Sequence, residues 1–265
     1  MSHLFVLIQY LLPQQLLSRL TGRLAAGGFA KNLLIRWFIK RYQVDMTEAA
    51  CEEASAYQSF NDFFTRALKP GARPIDCSSG AIVSPADGAI SQFGYIDGDQ
   101  LYQAKGREFS LQALLAGDDL QSARYVGGSF MTVYLSPRDY HRVHLPLAGK
   151  LLRGCYVPGK LFSVNGVTTA AVPGLFARNE RYIMEFETAA GYLSVIMVGA
   201  MIVAGIETVW GGQVCPLPGR RQITVQDYAA HSPPIELATG AEIGRFKLGS
   251  TVIMLFQHGA MSFAE

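Results

Sequence analysis

Apolar side chains recur at helical spacing over the first 44 residues and at strand spacing over most of the remaining chain. Leu4, Leu7, Ile8, Leu11 and Leu12 lie three or four apart, which gathers them on one face of a helix. Pro13 suits the first turn of a second helix, whose face is Leu16, Leu17, Leu20 and Leu24. Gly27-Gly28 breaks the chain, and a third helix sets Leu33, Leu34, Trp37 and Phe38 opposite Arg36 and Lys40. Residues 47–55 and 59–67 read as two short helices, the second opened by a capping box in Ser59 and Asp62.

After Pro70 the pattern changes to short apolar runs separated by Gly, Pro and Asp. Strands are expected at 81–84, 89–96, 129–135, 142–145, 149–157, 181–188, 192–198, 200–209, 223–225 and 251–257. One isolated helix is expected at 110–116, with Ser110 as its N-cap. Residues 188–206 form 19 positions without a charge, long enough to suggest a membrane span. Gly191, Gly199 and Gly205 punctuate the run, and Tyr182, Met184 and Phe186 alternate with Glu185 and Glu187 just before it, so strands fit better. The pattern gives an α+β chain: a largely antiparallel β core, sandwich- or barrel-like, behind N-terminal amphipathic helices. Its parts are residues 1–44 and a body of 45–265.

Charge changes the picture of the N-terminal part. Residues 1–44 hold Arg19, Arg23, Lys31, Arg36, Lys40 and Arg41 and no acid, whereas the remainder carries 17 basic and 21 acidic groups, a net of −4. A basic segment this rich in leucine and aromatics points to an anionic lipid surface rather than nucleic acid. Packing of the same faces on the protein's own core is the competing reading. A secretory signal does not fit, because no Lys or Arg precedes the apolar run and no small-residue cleavage site comes after it. Pro13, Gln14, Gln15, Ser18 and Arg19 interrupt the run well short of the ~20 residues of a membrane span. The four cysteines, at 51, 77, 155 and 215, form no C-x-x-C pair, which argues against a disulfide scaffold or a four-cysteine zinc site and for reduced cytosolic thiols.

The common signatures of nucleotide, metal and hydrolase sites are missing. His141 and His144 stand three apart in the densest polar cluster, but no third ligand has matching spacing, so no metal is assigned. Taken alone, Asp87-Gly88 reads as a hairpin turn, and Ser163 and Asn165 as turn residues before Gly166. Gly249-Ser250-Thr251 abuts a buried-strand run, 252–256. A serine there is an ordinary strand start or a hydroxyl placed to attack the unhindered glycine carbonyl before it, and pattern does not choose.

Four motifs in order do carry a likeness. Ser84-Pro-Ala-Asp-Gly88, Tyr140-His-Arg-Val-His144, Phe162-Ser-Val-Asn165 and Leu248-Gly-Ser-Thr251 together resemble bacterial, membrane-associated phosphatidylserine decarboxylase, along essentially the whole chain. The resemblance implies that the chain cuts itself between Gly249 and Ser250. Ser250 attacks the Gly249 carbonyl, His144 acts as base and Asp87 orients it, the logic of a Ser-His-Asp triad. The products are a chain of 1–249 and one of 250–265, whose Ser250 has become a pyruvoyl group, the covalent cofactor that forms a Schiff base with the substrate amine. It implies decarboxylation of phosphatidylserine to phosphatidylethanolamine and CO₂, with His141 as the proton donor and Phe162, Ser163 and Asn165 as substrate contacts. The implied partners are an anionic membrane, met peripherally at its cytoplasmic face by residues 1–44, and the two chains of one precursor as a heterodimer; further dimerisation stays open. The alternative is a triad serine hydrolase acting on lipid esters.

Overall fold

The computed structural model describes every residue except 1, 29, 77, 79, 202–204, 217–221, 249 and 264–265, and of residues 2–4 and 250 it describes the backbone. The N-terminal helices are α1 (Ser2–Leu11), α2 (Gln14–Ala26) and α3 (Lys31–Tyr42), followed by the single-turn α4 (Phe60–Phe64). The body then runs β1 (Ala89–Tyr95), β2 (Gln100–Ala104), β3 (Arg107–Ser110), α5 (Leu111–Leu114), α6 (Asp119–Ala123), β4 (Ser129–Leu135), β5 (Arg142–His144) and β6 (Gly149–Val157). It continues with α7 (Gly166–Ala171), α8 (Leu175–Arg178), β7 (Arg181–Thr188), β8 (Gly191–Val198), β9 (Gly205–Thr208) and β10 (Gly212–Cys215). The last strands are β11 (Thr224–Asp227), β12 (Glu236–Leu237), β13 (Glu242–Lys247) and β14 (Ser250–Phe256).

The main sheet is antiparallel in the order β1-β4-β14-β8-β7-β6-β11, with β12 on the same edge of β6, and it does not close into a barrel. A smaller antiparallel sheet, β10-β9-β13-β5, lies against one face. Val252, Met254 and Phe256 of β14 meet Ile206, Ile243 and Phe246 there. The other face, with Ile253 and Leu255, packs on Leu111, Leu114, Phe162 and Phe176. Both faces of β14 are therefore covered, which is why its sequence is an unbroken apolar run rather than an alternating one. Each such side chain contributes about 1.5–3 kcal/mol on burial. Of the uncharged run that mimicked a membrane span, residues 191–198 are β8 and 205–206 open β9.

The short helices differ from expectation. Residues 47–55 form turns instead of a helix, because Ala49 bridges Leu68 and Asp45 Oδ1 takes the Thr47 N–H at 2.8 Å. Residues 59–67 shorten to α4, capped by Ser59 Oγ on the Asp62 N–H at 3.1 Å. Residues 81–84 are irregular. The expected strand at 200–209 is narrowed to β9, and part of it lies outside the described residues.

The N-terminal helices invert the usual arrangement. α2 buries Gln14, Ser18 and Ala25 against the body and leaves Leu16, Leu20 and Leu24 exposed, Leu24 by 75%. Leu11 is 76% and Leu33 74% exposed. A helix that packed on its own core would do the reverse. α3, through Ile35 and Phe38, and the end of α2, through Ala25, join a separate apolar cluster with Phe60, Phe63 and Phe64.

Candidate active site

The site is built where β13 hands over to β14. Ser250 opens β14 opposite Leu135 of β4; its side chain and all of Gly249, the expected cleavage position, lie outside the described residues. Leu248 just before them has φ +80°, a left-handed conformation that costs a non-glycine residue about 1–2 kcal/mol. Its side chain packs against the Phe60, Phe63 and Phe64 cluster, which holds the residue there. Strain of this kind collects at functional sites.

Asp87 reaches the same place through Gly88. A Cβ on Gly88, φ +153°, would collide with the Tyr134 carbonyl of β4, so only glycine lets the turn run this close. Ala89 of β1 and Thr251 of β14 both pair with Tyr134 of β4, so the Asp87 turn leads into a strand roughly 10 Å, two strand spacings, from β14. The His144 N–H donates to the Pro85 carbonyl at 2.7 Å, tying β5 to the Asp87 turn. Asp87 and His144 thus line one cleft of 430 Å³, together with Arg73, Tyr140, Arg142 and Gly240.

Within that cleft each holds other partners. Arg73 Nε donates to both Asp87 carboxylate oxygens at 2.9 and 3.0 Å, and its Nη2 to Oδ2 at 2.6 Å. The same guanidinium grips Glu48 at 3.0 and 2.7 Å. Two carboxylates raise the Arg73 pKa well above its ordinary value. His144 Nδ1 lies 2.8 Å from the Gly240 carbonyl, an obligate acceptor, so Nδ1 carries the proton. In the neutral ring Nε2 then keeps its lone pair, 3.3 Å from Tyr140 Oη.

His141 is fully buried against Phe64, ring centroids 4.1 Å apart. Its Nδ1 donates to the Asp139 carbonyl at 2.7 Å, and its Nε2 has no partner. Burial, together with the Arg66 charge, lowers its pKa to about 3, so it is neutral with a free lone pair at Nε2. Arg66 is buried too; Nη2 donates to the Arg138 carbonyl at 3.2 Å while Nε and Nη1 have no partner.

On the other face of β14, Thr251 and Val164 line a cavity of 310 Å³ with Tyr134, Gln103 and Thr169. This brings the loop of Phe162, Ser163 and Asn165 beside the start of β14. Phe162 is buried. Asn165 is the N-cap of α7, its Oδ1 accepting from the Val167 and Thr168 N–H groups at 3.0 and 3.1 Å, so the turn chemistry read from Asn-Gly is present as a helix cap. The Thr251 hydroxyl is buried and unpartnered. Arg73, Glu48 and Arg66 carried no local signal in the sequence, and Tyr140 carried one only as part of a motif.

Comparison with known proteins matches a family model described as phosphatidylserine decarboxylase over residues 60–265. The chain belongs to the phosphatidylserine decarboxylase family. A second, short family model, described as PSD, matches residues 4–43, the span of the three N-terminal helices. A phosphatidylserine decarboxylase proenzyme of Ectopseudomonas mendocina is 58% identical over 100% of the chain and 93% of the relative. Those of Pseudomonas putida strain GB-1 and Azotobacter vinelandii are 56% and 57% identical, over 100% and 96% of the chain and 92% and 90% of each relative. Among the described residues of this decarboxylase no helix is long and apolar enough to cross a membrane.

Proposed function

We propose that this chain is the precursor of a pyruvoyl-dependent enzyme that converts phosphatidylserine to phosphatidylethanolamine and CO₂, maturing by a cut between Gly249 and Ser250. The observation that carries this reading is the position of β14. It begins at Ser250 and is laddered on both edges, to β4 and β8, with both faces in the core. A break just before it leaves residues 250–265 anchored. The strained Leu248 supplies a reason for the bond to break there.

In the maturation step the Ser250 hydroxyl attacks the Gly249 carbonyl and the nitrogen leaves, an N-to-O acyl shift. The His144 Nε2 lone pair takes the hydroxyl proton. Asp87 replaces the Gly240 carbonyl on Nδ1–H and stabilises the cation that forms. A base then removes the Ser250 α-proton. The 1–249 chain departs as a carboxylate, and water converts the remaining dehydroalanine to a pyruvoyl group with loss of ammonia.

The surroundings fit that group. A pyruvoyl group at 250 would adjoin Thr251, whose buried hydroxyl has no partner and would help to hold it; His141 Nε2, on a ring packed against Phe64, is also buried and free. When present, the group supplies an electron sink for the pair left as CO₂ departs. The protein's part is to hold and exclude. Phe64 covers His141, and Phe162 is buried in the loop beside the start of β14, so each excludes water where it lies. The loop at 162–165 faces the substrate headgroup. His141 collects a proton at Nε2 and returns it to the substrate carbon; its low affinity for that proton makes it a ready donor once charged. Residues 1–44 seat the enzyme peripherally on the cytoplasmic leaflet: the exposed leucines enter the lipid and Arg19, Arg23, Arg36 and Arg41 meet anionic headgroups. Residues 45–265 form the catalytic domain.

The test is the intact mass under denaturing conditions. Two chains divided at Gly249/Ser250, the smaller lacking its terminal nitrogen, support the reading, and Ser250→Ala gives one inactive chain of 28.9 kDa. Normal cutting in Ser250→Ala removes it. An uncut wild-type chain whose Ser250 is labelled by a fluorophosphonate turns the assignment to the lipid-ester hydrolase.

A further inference from the structure

The loop that carries Phe162 and Ser163 has no ladder of its own, so its backbone polar groups are satisfied by side chains. Asn179 holds Phe162 at both ends, accepting its N–H at 3.0 Å and donating to its carbonyl at 2.9 Å. Thr168 Oγ1 donates to the Ser163 carbonyl. The remaining two bonds come from the far N-terminus of the chain: the Leu161 N–H donates to Gln14 Oε1 at 2.7 Å and the Ser163 N–H to Gln9 Oε1 at 2.9 Å. Gln9 and Gln14 are both buried, on helices rich in leucine.

Pro13 explains why the two glutamines act together. It has no N–H, so the Gln9 carbonyl loses the helical donor four residues on. Gln14 Nε2 fills that position at 2.7 Å, which fixes the Gln14 amide with its oxygen toward Leu161. Gln15 adds a third tie, Nε2 to the Gly159 carbonyl at 3.0 Å. On the outer side of the same helices Leu7, Leu11 and Leu16 are exposed. One face of α1 and α2 is built for an apolar environment and the other holds the loop.

We propose that Gln9 and Gln14 are positioning residues for substrate binding: through Ser163 and Leu161 they set the shape of the 161–165 loop, so the loop is formed for phosphatidylserine only when α1 and α2 are seated. This rests on the reading of that loop as the substrate contact. Gln9 Nε2 has no partner, so Gln9→Glu keeps every bond the side chain makes, whereas Gln9→Met removes the acceptor at similar volume.

The test is kcat and KM for CO₂ release from phosphatidylserine in mixed micelles, with the full-length matured enzyme. Gln9→Met matures completely, raises KM about tenfold, the weight of one buried hydrogen bond, and changes kcat by less than about twofold. Gln9→Glu recovers most of the KM. Unchanged KM in Gln9→Met overturns the proposal, as does a Gln9→Met chain that fails to mature, since Gln9 is then needed for the whole fold. Phe162→Ala and Asn165→Ala separate the two readings. If they raise KM and Gln9→Met does not, the positioning role fails alone; if none of the three raises it, the loop itself is not the substrate contact.

Discussion

Asp87 and His144 face one cleft while each is held by another group, so the strength of those grips would set how readily the proposed triad forms. Arg73 competes with His144 for Asp87, and Glu48 competes with Asp87 for Arg73. The ion pairs are partly exposed, which limits each to about 1 kcal/mol or less. Arg73→Met is therefore expected to speed precursor cutting by about threefold, and Glu48→Gln, which leaves Asp87 as the sole carboxylate on Arg73, to slow it by a similar factor. Timed gel analysis of freshly synthesised chain reads both. Slower cutting in Arg73→Met would make Arg73 a necessary support of Asp87 instead. His141 gives a second expectation at this scale. Unfolded, it binds a proton near 6.5; folded, only near 3. The unfolded state therefore holds more protons between those values. The stability due to a neutral His141 is complete above about 6.5 and is lost as pH falls, by about 1.4 kcal/mol per unit. Urea unfolding of the uncut Ser250→Ala chain at pH 6 and pH 4 should show a shallower loss once His141→Gln is added. The motifs that contain Asp87, His141, His144 and Ser250 were readable. Their present partners were not, because Arg73, Glu48 and Gly240 come from distant segments that no local pattern links to them.

At the scale of elements, β14 bears the most. Ile253 is fully buried between Ile196 of β8 and Thr132 of β4. Ile253→Ala should cost about 3 kcal/mol in the uncut Ser250→Ala chain, measured by urea unfolding. In matured enzyme the same change should let the 250–265 chain dissociate at lower denaturant. Loss of less than about 1 kcal/mol would mean the strand is not the anchor. This strand, β4, β6 and β7 were legible because long apolar or alternating runs leave little choice of period. The β2–β3 hairpin and β13 were missed: Gln100–Ala104 and Glu242–Lys247 mix polar and apolar side chains without a clear period. The turns at 47–55 read as helix because spacing registers apolar positions but not the Ala49–Leu68 bridge that holds them. Pro13 was legible as a helix opener, yet its consequence for the Gln9 carbonyl needed the placement of Gln14.

The whole molecule is divided by charge and by the direction of its leucines. Six basic and no acidic groups stand in residues 1–44, against a net of −4 in the rest. On the proposed membrane reading, attraction to an anionic surface would act at one end and turn that end toward the lipid. Leu11, Leu24 and Leu33 lie on the exposed side of three successive helices, where a monomer in water gains nothing from them. Inserted in a bilayer interface, each contributes about 1–2 kcal/mol. Changing all three to Glu should abolish co-sedimentation with anionic vesicles at physiological salt. Folding stability should move by less than about 0.5 kcal/mol per site, since nothing in the fold packs on them. Salt separates the two contributions. At 1 M ionic strength the screening length falls from about 8 Å to about 3 Å, so the basic groups lose their hold while the leucines keep theirs. Wild type should weaken with salt but still bind neutral vesicles; the triple variant should bind anionic vesicles weakly at low salt and not at all at high salt. If the variant binds as wild type does, the exposed leucines serve a protein partner, and the orientation of the site toward the bilayer must come from elsewhere.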